Sequence, residues 1–310
     1  MTPSAGIHHV TAICRDPKQN RAFYADKLGL RMVKKTVNFD DPTTWHLYYG
    51  DVTGQPGTAL TFFAWGDVPP GRNGNGMAVE TAVIIPERSF GYWTARLIEL
   101  DVPHEAPEKR FGETVLRLTD PDGMRLALVA VKGADALSGW PDGPVPAEHA
   151  VRGVHSVTLM VGAGGPTAHV LTGAFGFRAG PRDGNLQRFM ASGAKLGSMV
   201  DVRTAEGFLT GRQGGGSVHH VAFRAGDDAA QAEMAAAAKA QGLKPTDQID
   251  RRYFRSVYFR EPGGILFEIA TDAPGFAVDE PQDRLGSDIK LPPWFEPKRA
   301  EIVAALPPLT

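Results

Sequence analysis

Four of the nine histidines stand in two adjacent pairs, His8–His9 and His219–His220, in nearly the same context, GIHHVTA and SVHHVAF. In a strand, neighbouring side chains point to opposite faces, so one histidine of each pair faces a cavity and the other faces away or towards its rim. Glu268 sits in GILFEIA, an otherwise apolar stretch where a carboxylate is costly to bury without a partner. An arginine from RRYFR is one such partner, and a cation held jointly with two imidazoles is the other. Two histidines plus one carboxylate make the donor set of a non-haem Fe(II) centre with open positions, and the same N/O ligands also suit Mn(II).

The elements that must position these residues repeat. Four segments open with a short β-rich apolar run, at 6–14, 77–85, 153–161 and 217–225. Helical stretches follow at 20–30, 89–100, 165–177 and 228–243, and each gives way to turn-punctuated strands. This predicts an α+β chain of four βαβββ modules, paired into two domains, each an open and highly curved mixed sheet around a cavity. A Gly/Pro/Ala-rich linker over 136–151 separates an N-terminal pair of modules (1–135) from a C-terminal pair (152–272). A Pro-rich tail over 273–310 carries a short helix near 297–305.

Aligning the modules by their final turns, PGGILFE, PDGMRLA and PGTALTF, places Glu268 against Ala127 and Phe62. The opening runs place His9 and His220 against Ser156 and approximately Thr81. If modules one and four share one cavity, its four ligand slots hold His9, Phe62, His220 and Glu268. The companion cavity of modules two and three then holds no histidine, and Asp201 reaches a slot there only with a register shift. Tyr258 shares a face with Glu268 only if the loop between their strands has an odd number of residues, three or five.

Composition narrows the function. Lys plus Arg total 33 against 35 for Asp plus Glu, a net charge of −2, so no basic excess exists to bind nucleic acid. No run of about 18 apolar residues predicts a membrane span, and the start MTPSAGIHHV lacks the basic and apolar parts of a secretory signal. The single cysteine, Cys14, excludes a disulfide framework and a thiolate-rich metal site, and reads as a small buried hydrophobe. A cytoplasmic location is expected, and exposed strand edges make a homo-oligomer reasonable.

These motifs together resemble the vicinal oxygen chelate superfamily, and within it the ring-cleaving dioxygenases of the hydroquinone and chlorohydroquinone type. The likeness runs through GIHHVTA, WHLYYGDVTGQPGT, EKRFGE, VPAEHAVRGVHS, SVHHVAF, DRRYFRSVYFREPGGILFE and the tail motif DRLGSDIKLPPWF. The resemblance implies Fe(II) ligation by His9, His220 and Glu268, with His8, Thr11, His219, Arg251 and Tyr258 around the metal. It implies an extradiol-type opening of a small aromatic substrate with O2. On this reading His8 or His219 shuttles the phenol proton, Arg251 holds an anion, and Tyr258 hydrogen-bonds substrate or oxygen. Trp45, Tyr48, Phe62, Phe254 and Phe267 are candidate walls of the cavity, although core packing also accounts for them. A glyoxalase-like isomerase on the same modules needs a fourth protein ligand, for which Asp201 is the candidate. A metal-free sequestering protein needs neither metal nor oxygen.

Overall fold

The computed structural model describes residues 3–309. Module one runs β1 (Ile7–Cys14), α1 (Pro17–Arg21), β2 (Arg31–Asn38), β3 (Asp41–Gly50) and β4 (Ala59–Ala64). Module two runs β5 (Met77–Pro86), α2 (Phe90–Glu99), β6 (Glu108–Arg110), β7 (Glu113–Thr119) and β8 (Arg125–Val131). Module three runs β9 (Gly153–Val161), α3 (Gly164–Gly173), β10 (Arg178–Asp183), β11 (Leu186–Met190) and β12 (Met199–Thr204). Module four runs β13 (Val218–Ala225), α4 (Asp228–Ala240), β14 (Ile249–Asp250), β15 (Arg255–Arg260) and β16 (Leu266–Thr271). The tail carries α5 (Arg299–Ala305).

Local chemistry sets these boundaries. Asp16 caps α1 by accepting the backbone N–H groups of Lys18 and Gln19, and Pro17 occupies the first turn, where its missing N–H costs nothing. The first helix then widens into a π-helical turn over Ala22–Lys27 that buries Phe23 and Tyr24. Asp227 caps α4 through the N–H of Ala230, ahead of an alanine-rich run of high helix propensity.

Each module forms one half of an eight-stranded sheet. The orders are β14-β15-β16-β13-β1-β4-β3-β2 and β10-β11-β12-β9-β5-β8-β7-β6. Within a module the first and last strands pair in parallel, as the helical crossover requires, and the remaining strands follow as antiparallel neighbours. At the centre of each sheet two opening strands meet antiparallel, β1 with β13 and β5 with β9. Module one therefore pairs with four, and two with three. The contiguous halves 1–135 and 152–272 do not each own a sheet, because the hydrogen bonds of both sheets cross the 136–151 linker. The segments joining the two members of each half also pair with one another, through bridges Pro70–Gly215, Arg72–Arg212 and Asn75–Thr210. There Gly216 takes a positive φ of 76°, and a Cβ on it would lie 2.0 Å from the carbonyl oxygen of Asp122.

The tail is fastened to module one by a buried charge. Lys34 of β2 is fully buried, with Nζ 2.6 Å from Asp279 Oδ1 and bonded also to Glu280. Glu280 further accepts the N–H groups of Gly286 and Asp288. Cys14 is buried and free, as expected of a small core residue. Among the described residues no helix is long and apolar enough to cross a membrane.

Candidate metal centre

The β1–β13 pairing sets Thr11 opposite His220 and His9 opposite Ala222, while Ala222 lies beside Glu268 in the parallel β13–β16 pairing. Residues 9, 220 and 268 thus converge from three adjacent strands. Their donor atoms all lie within 4.8 Å of one another, and the two imidazole centroids are 5.6 Å apart. Glu268 Oε2 is 2.8 Å from His220 Nε2 and 3.5 Å from His9 Nε2. All three residues are buried. Glu268 Oε1 accepts a hydrogen bond from Ser256 Oγ at 2.6 Å, but Oε2 and His220 Nε2 have no partner in hydrogen-bond geometry. Buried orphans of this kind are rare in native proteins and ask for a ligand. A divalent cation suits the set: one carboxylate and two Nε2 lone pairs aimed at one another. Burial alone would raise the pKa of Glu268, but His9 and His220 hold it well below the carboxylate range. Burial lowers that of His220, against the pull of Glu268. The group is thereby kept as one carboxylate and a neutral imidazole, the protonation a metal needs.

Both histidine pairs depart from simple strand alternation. The β1–β13 register slips between Ile7 and His9, and again between Thr11 and Ala12, where β13 steps from His220 to Val218. His8 and His219 are the inserted residues of two β-bulges, which re-aim side chains. Each touches its neighbour: His8 Nδ1 lies 2.9 Å from His9 Nδ1, and His219 Nδ1 lies 2.8 Å from His220 Nδ1. Burial, then the neighbouring imidazole, pushes each outer histidine down to about 3, so both stay neutral.

A cavity of about 280 Å³ opens onto the three residues. For scale, an apolar cavity of ~150 Å³ takes benzene. His219, Arg251 and Tyr258 line it, whereas His8 and Thr11 do not. Tyr258 stands directly opposite Glu268, because the loop between β15 and β16 spans five residues, 261–265, which satisfies the odd-number condition. Burial and the nearby Glu268 carboxylate push the Tyr258 phenol up, so its O–H stays protonated. Arg251 is brought to the wall by a tight turn: Asp250 accepts the N–H of Arg252, whose φ of 68° is left-handed. The same turn delivers Phe254, 4.9 Å from the His9 ring.

Of the five candidate wall residues, Tyr48 and Phe254 line the cavity. Trp45 donates its indole N–H to Pro307 O, Phe62 packs on Tyr24 and Tyr49, and Phe267 packs on Phe223 and Phe259. Phe62 is also not the fourth slot. Thr11 pairs with Thr61 in the parallel β1–β4 ladder, so Thr61 holds the position equivalent to Glu268. Thr61 Oγ1 meets Thr11 Oγ1 at 2.8 Å and His46 Nε2 at 3.0 Å, and His46 Nδ1 meets the Tyr48 hydroxyl at 2.9 Å. His46 is a cavity-lining residue that motif reasoning passed over.

The family model described as Glyoxalase/Bleomycin resistance protein/Dioxygenase superfamily matches residues 6–128 and 149–269, two modules in each stretch. The chain belongs to this superfamily. It is 41% identical over 303 residues to MhqO of Bacillus subtilis (strain 168), a protein named for ring-cleaving dioxygenase activity, covering 98% of this chain and 96% of the relative. It is 32% identical to the chlorohydroquinone/hydroquinone 1,2-dioxygenase of Sphingobium indicum, covering 97% and 95%. A crystal structure of a Bacillus subtilis protein described as a dioxygenase superposes with a TM-score of 0.95 at 38% identity, covering 100% of this chain and 99% of that one.

The second superfamily cavity explains itself by register. Glu80 stands opposite Thr158 and Ala82 opposite Ser156, while Thr158 lies beside Asp201 and Ala82 beside Ala127. Its four slots therefore hold Glu80, Ser156, Asp201 and Ala127; Glu80, not Thr81, corresponds to His9. Arginines fill the space between them. Arg188 binds Asp201 through Nε at 2.8 Å and Nη2 at 2.9 Å, and Glu80 is paired with Arg110 and Arg117. Asp201 is thus committed to a guanidinium in the other sheet and does not join His9, His220 and Glu268. Thr61, an uncharged residue, stands in the fourth slot beside His9, His220 and Glu268, where the isomerase expectation asks for a further protein ligand.

Glu113 completes this arginine network, with Oε2 2.6 Å from Arg188 Nη1 and Oε1 3.0 Å from His155 Nε2. Burial would raise its pKa, but His155 and Arg188 pull it from 4.5 down to about 2. The folded state therefore gains stability above pH 4.5 that is lost as pH falls through 2. Chemical denaturation should find wild type up to about 3 kcal/mol more stable than Glu113→Gln at pH 7, discounted for its partial exposure. The gap should shrink steadily between pH 4.5 and 2, and a pH-independent gap would contradict this account.

Proposed function

We propose that this chain is a metal-dependent dioxygenase that opens a hydroquinone- or catechol-type ring with O2, beside a hydroxyl in the extradiol manner. His9, His220 and Glu268 hold Fe(II), with Mn(II) as an alternative occupant. The reading rests on one observation above all: Glu268 Oε2 and His220 Nε2 are buried without a hydrogen-bond partner beside His9, under a one-ring cavity. The names of the full-length relatives supply the reaction class. The metal would supply Lewis acidity towards a phenol oxygen and one-electron chemistry with O2.

The protein's own groups do the rest. Ligation at Nε2 leaves the protons of His9 and His220 on Nδ1, where they are donated to Nδ1 of His8 and His219. His8 and His219 must then carry their protons at Nε2. His219 accordingly presents an N–H donor to a substrate oxygen in the cavity, a fixed donor rather than the proton shuttle that motif reasoning suggested. His8, outside the cavity, fixes the ring plane of His9. Thr11 fixes Thr61 and, through it, His46. The protonated Tyr258 hydroxyl offers a second donor across from Glu268. Arg251, 5.5 Å above the Tyr258 ring, holds that ring in place and is itself engaged by Asp40. Together these groups orient an aromatic diol and stabilise charge on its oxygens without reorganising.

The test is anaerobic reconstitution with Fe(II) or Mn(II), followed by oxygen uptake on hydroquinones and catechols. Oxygen should be consumed in step with the substrate. A metal-loaded protein that consumes no oxygen on any dihydroxybenzene would be incompatible with this function. Loss of oxygen uptake on chelation separates the reading from metal-free sequestration.

A further inference from the structure

Arg251 and Asp40 meet across the mouth of the cavity. Arg251 comes from the turn before β15 in module four, and Asp40 from the turn between β2 and β3 in module one. The contact is two-pronged, Nη1 to Oδ1 at 3.2 Å and Nη2 to Oδ2 at 3.0 Å. The guanidinium side chain is 20% exposed and the carboxylate 71%, so the cation belongs to the wall and the anion to the rim. The turn that carries Asp40 is held in place. Asn38 Oδ1 accepts the N–H of Asp40 at 3.0 Å, and Phe39 packs edge-on against Trp294 of the tail. Arg251 is the one Lys or Arg among the described residues lining this cavity, and the lining acids are Asp40 and Glu268.

We propose that Asp40 is a specificity-determining residue. Its carboxylate occupies the two-pronged face of Arg251, so the cavity takes uncharged dihydroxybenzenes and rejects rings that bear a carboxylate. The argument is one of charge and geometry. A guanidinium on an aromatic-lined wall is a ready carboxylate receptor, because its fork matches both oxygens. Here that receptor is already filled from within the chain. An incoming aromatic carboxylate must displace Asp40 or lie beside it, carboxylate against carboxylate. An uncharged diol meets no such conflict. The pair is weak as a fastening, since one partner is largely in water. Its effect is therefore on which ligand is admitted rather than on stability. The inference rests on the cavity being the substrate site.

The experiment is calorimetric titration of the metal-loaded, anaerobic protein with hydroquinone and with 2,5-dihydroxybenzoate. Wild type should bind the carboxylated ring the more weakly. Asp40→Asn should tighten 2,5-dihydroxybenzoate about tenfold more than it changes hydroquinone, the scale of one charge-assisted hydrogen bond. Adding Arg251→Gln should erase that gain, and Asp40→Ala should repeat it. Equal changes for both rings, or none for the carboxylated ring, would overturn the assignment. No turnover is needed for this readout. A protein that binds hydroquinone but never consumes oxygen refutes the dioxygenase reading and leaves the selectivity of Asp40 intact. Binding of neither ring by wild type refutes both.

Discussion

His220→Ala protein should purify with its strands intact and with almost no bound metal, and oxygen uptake should fall to background. Three buried donors share one point, and removing the central one leaves Glu268 Oε2 facing an empty pocket. Loss of an outer-sphere partner typically costs about 10–100-fold in metal affinity or activity. Loss of a direct ligand should exceed about 100-fold on both counts. Metal analysis after dialysis against Fe(II) and an oxygen electrode provide the two readouts, and circular dichroism checks the fold. His219→Ala is the informative contrast. It keeps all three donors and removes only the Nδ1 partner of His220, so it should retain metal at lower affinity while losing more in turnover. Full activity in His220→Ala would sink the ligand assignment.

Lys34→Met should destabilise the protein by about 3–5 kcal/mol, the usual cost of stripping one partner from a buried ionic group. Lys34 is fully buried between Asp279 and Glu280, and its ammonium lies 5.0 Å from the Tyr253 ring. Removing the ammonium leaves two carboxylates facing each other beside an apolar methionine. Melting temperature should drop by on the order of 10 °C. Adding Asp279→Asn and Glu280→Gln should recover most of the loss, because a neutral replacement of the whole cluster removes the desolvation problem at its source. If Lys34→Met alone melts like wild type, this cluster does not fasten the tail.

Much of this architecture was legible in the residues. The four modules announce themselves because each needs the same strand–helix–strands chemistry, and the paired histidines mark the two modules that carry the site. Glu268 was visible as a carboxylate in an apolar strand. The same signal was present at Glu80 in MAVETAVII, where it marks the arginine-filled companion site. Glu80, rather than Thr81, holds the position equivalent to His9. The fourth slot lies one residue from where the turn alignment places it, because a single threonine in ALTFFA does not set the register, and only the pairing of Thr11 with Thr61 decides it. The bulges at His8 and His219 were hidden for a related reason. An inserted residue leaves no mark in one strand's sequence, since it is defined by what stands opposite. His46 was masked by its aromatic neighbours in WHLYY, although alternation with Tyr48 places both on one face.

The pairing of module one with module four also bears on how the chain matures. Strand β1 is made early, yet its partner β13 is made more than 200 residues later. Until then β1 has an open edge, and contacts of such long sequence separation form slowly. Modules two and three, adjacent in the chain, are free to close their own sheet in the meantime. The arginine-locked half is thus the natural scaffold during synthesis, and the histidine half is completed around it by the last module to emerge.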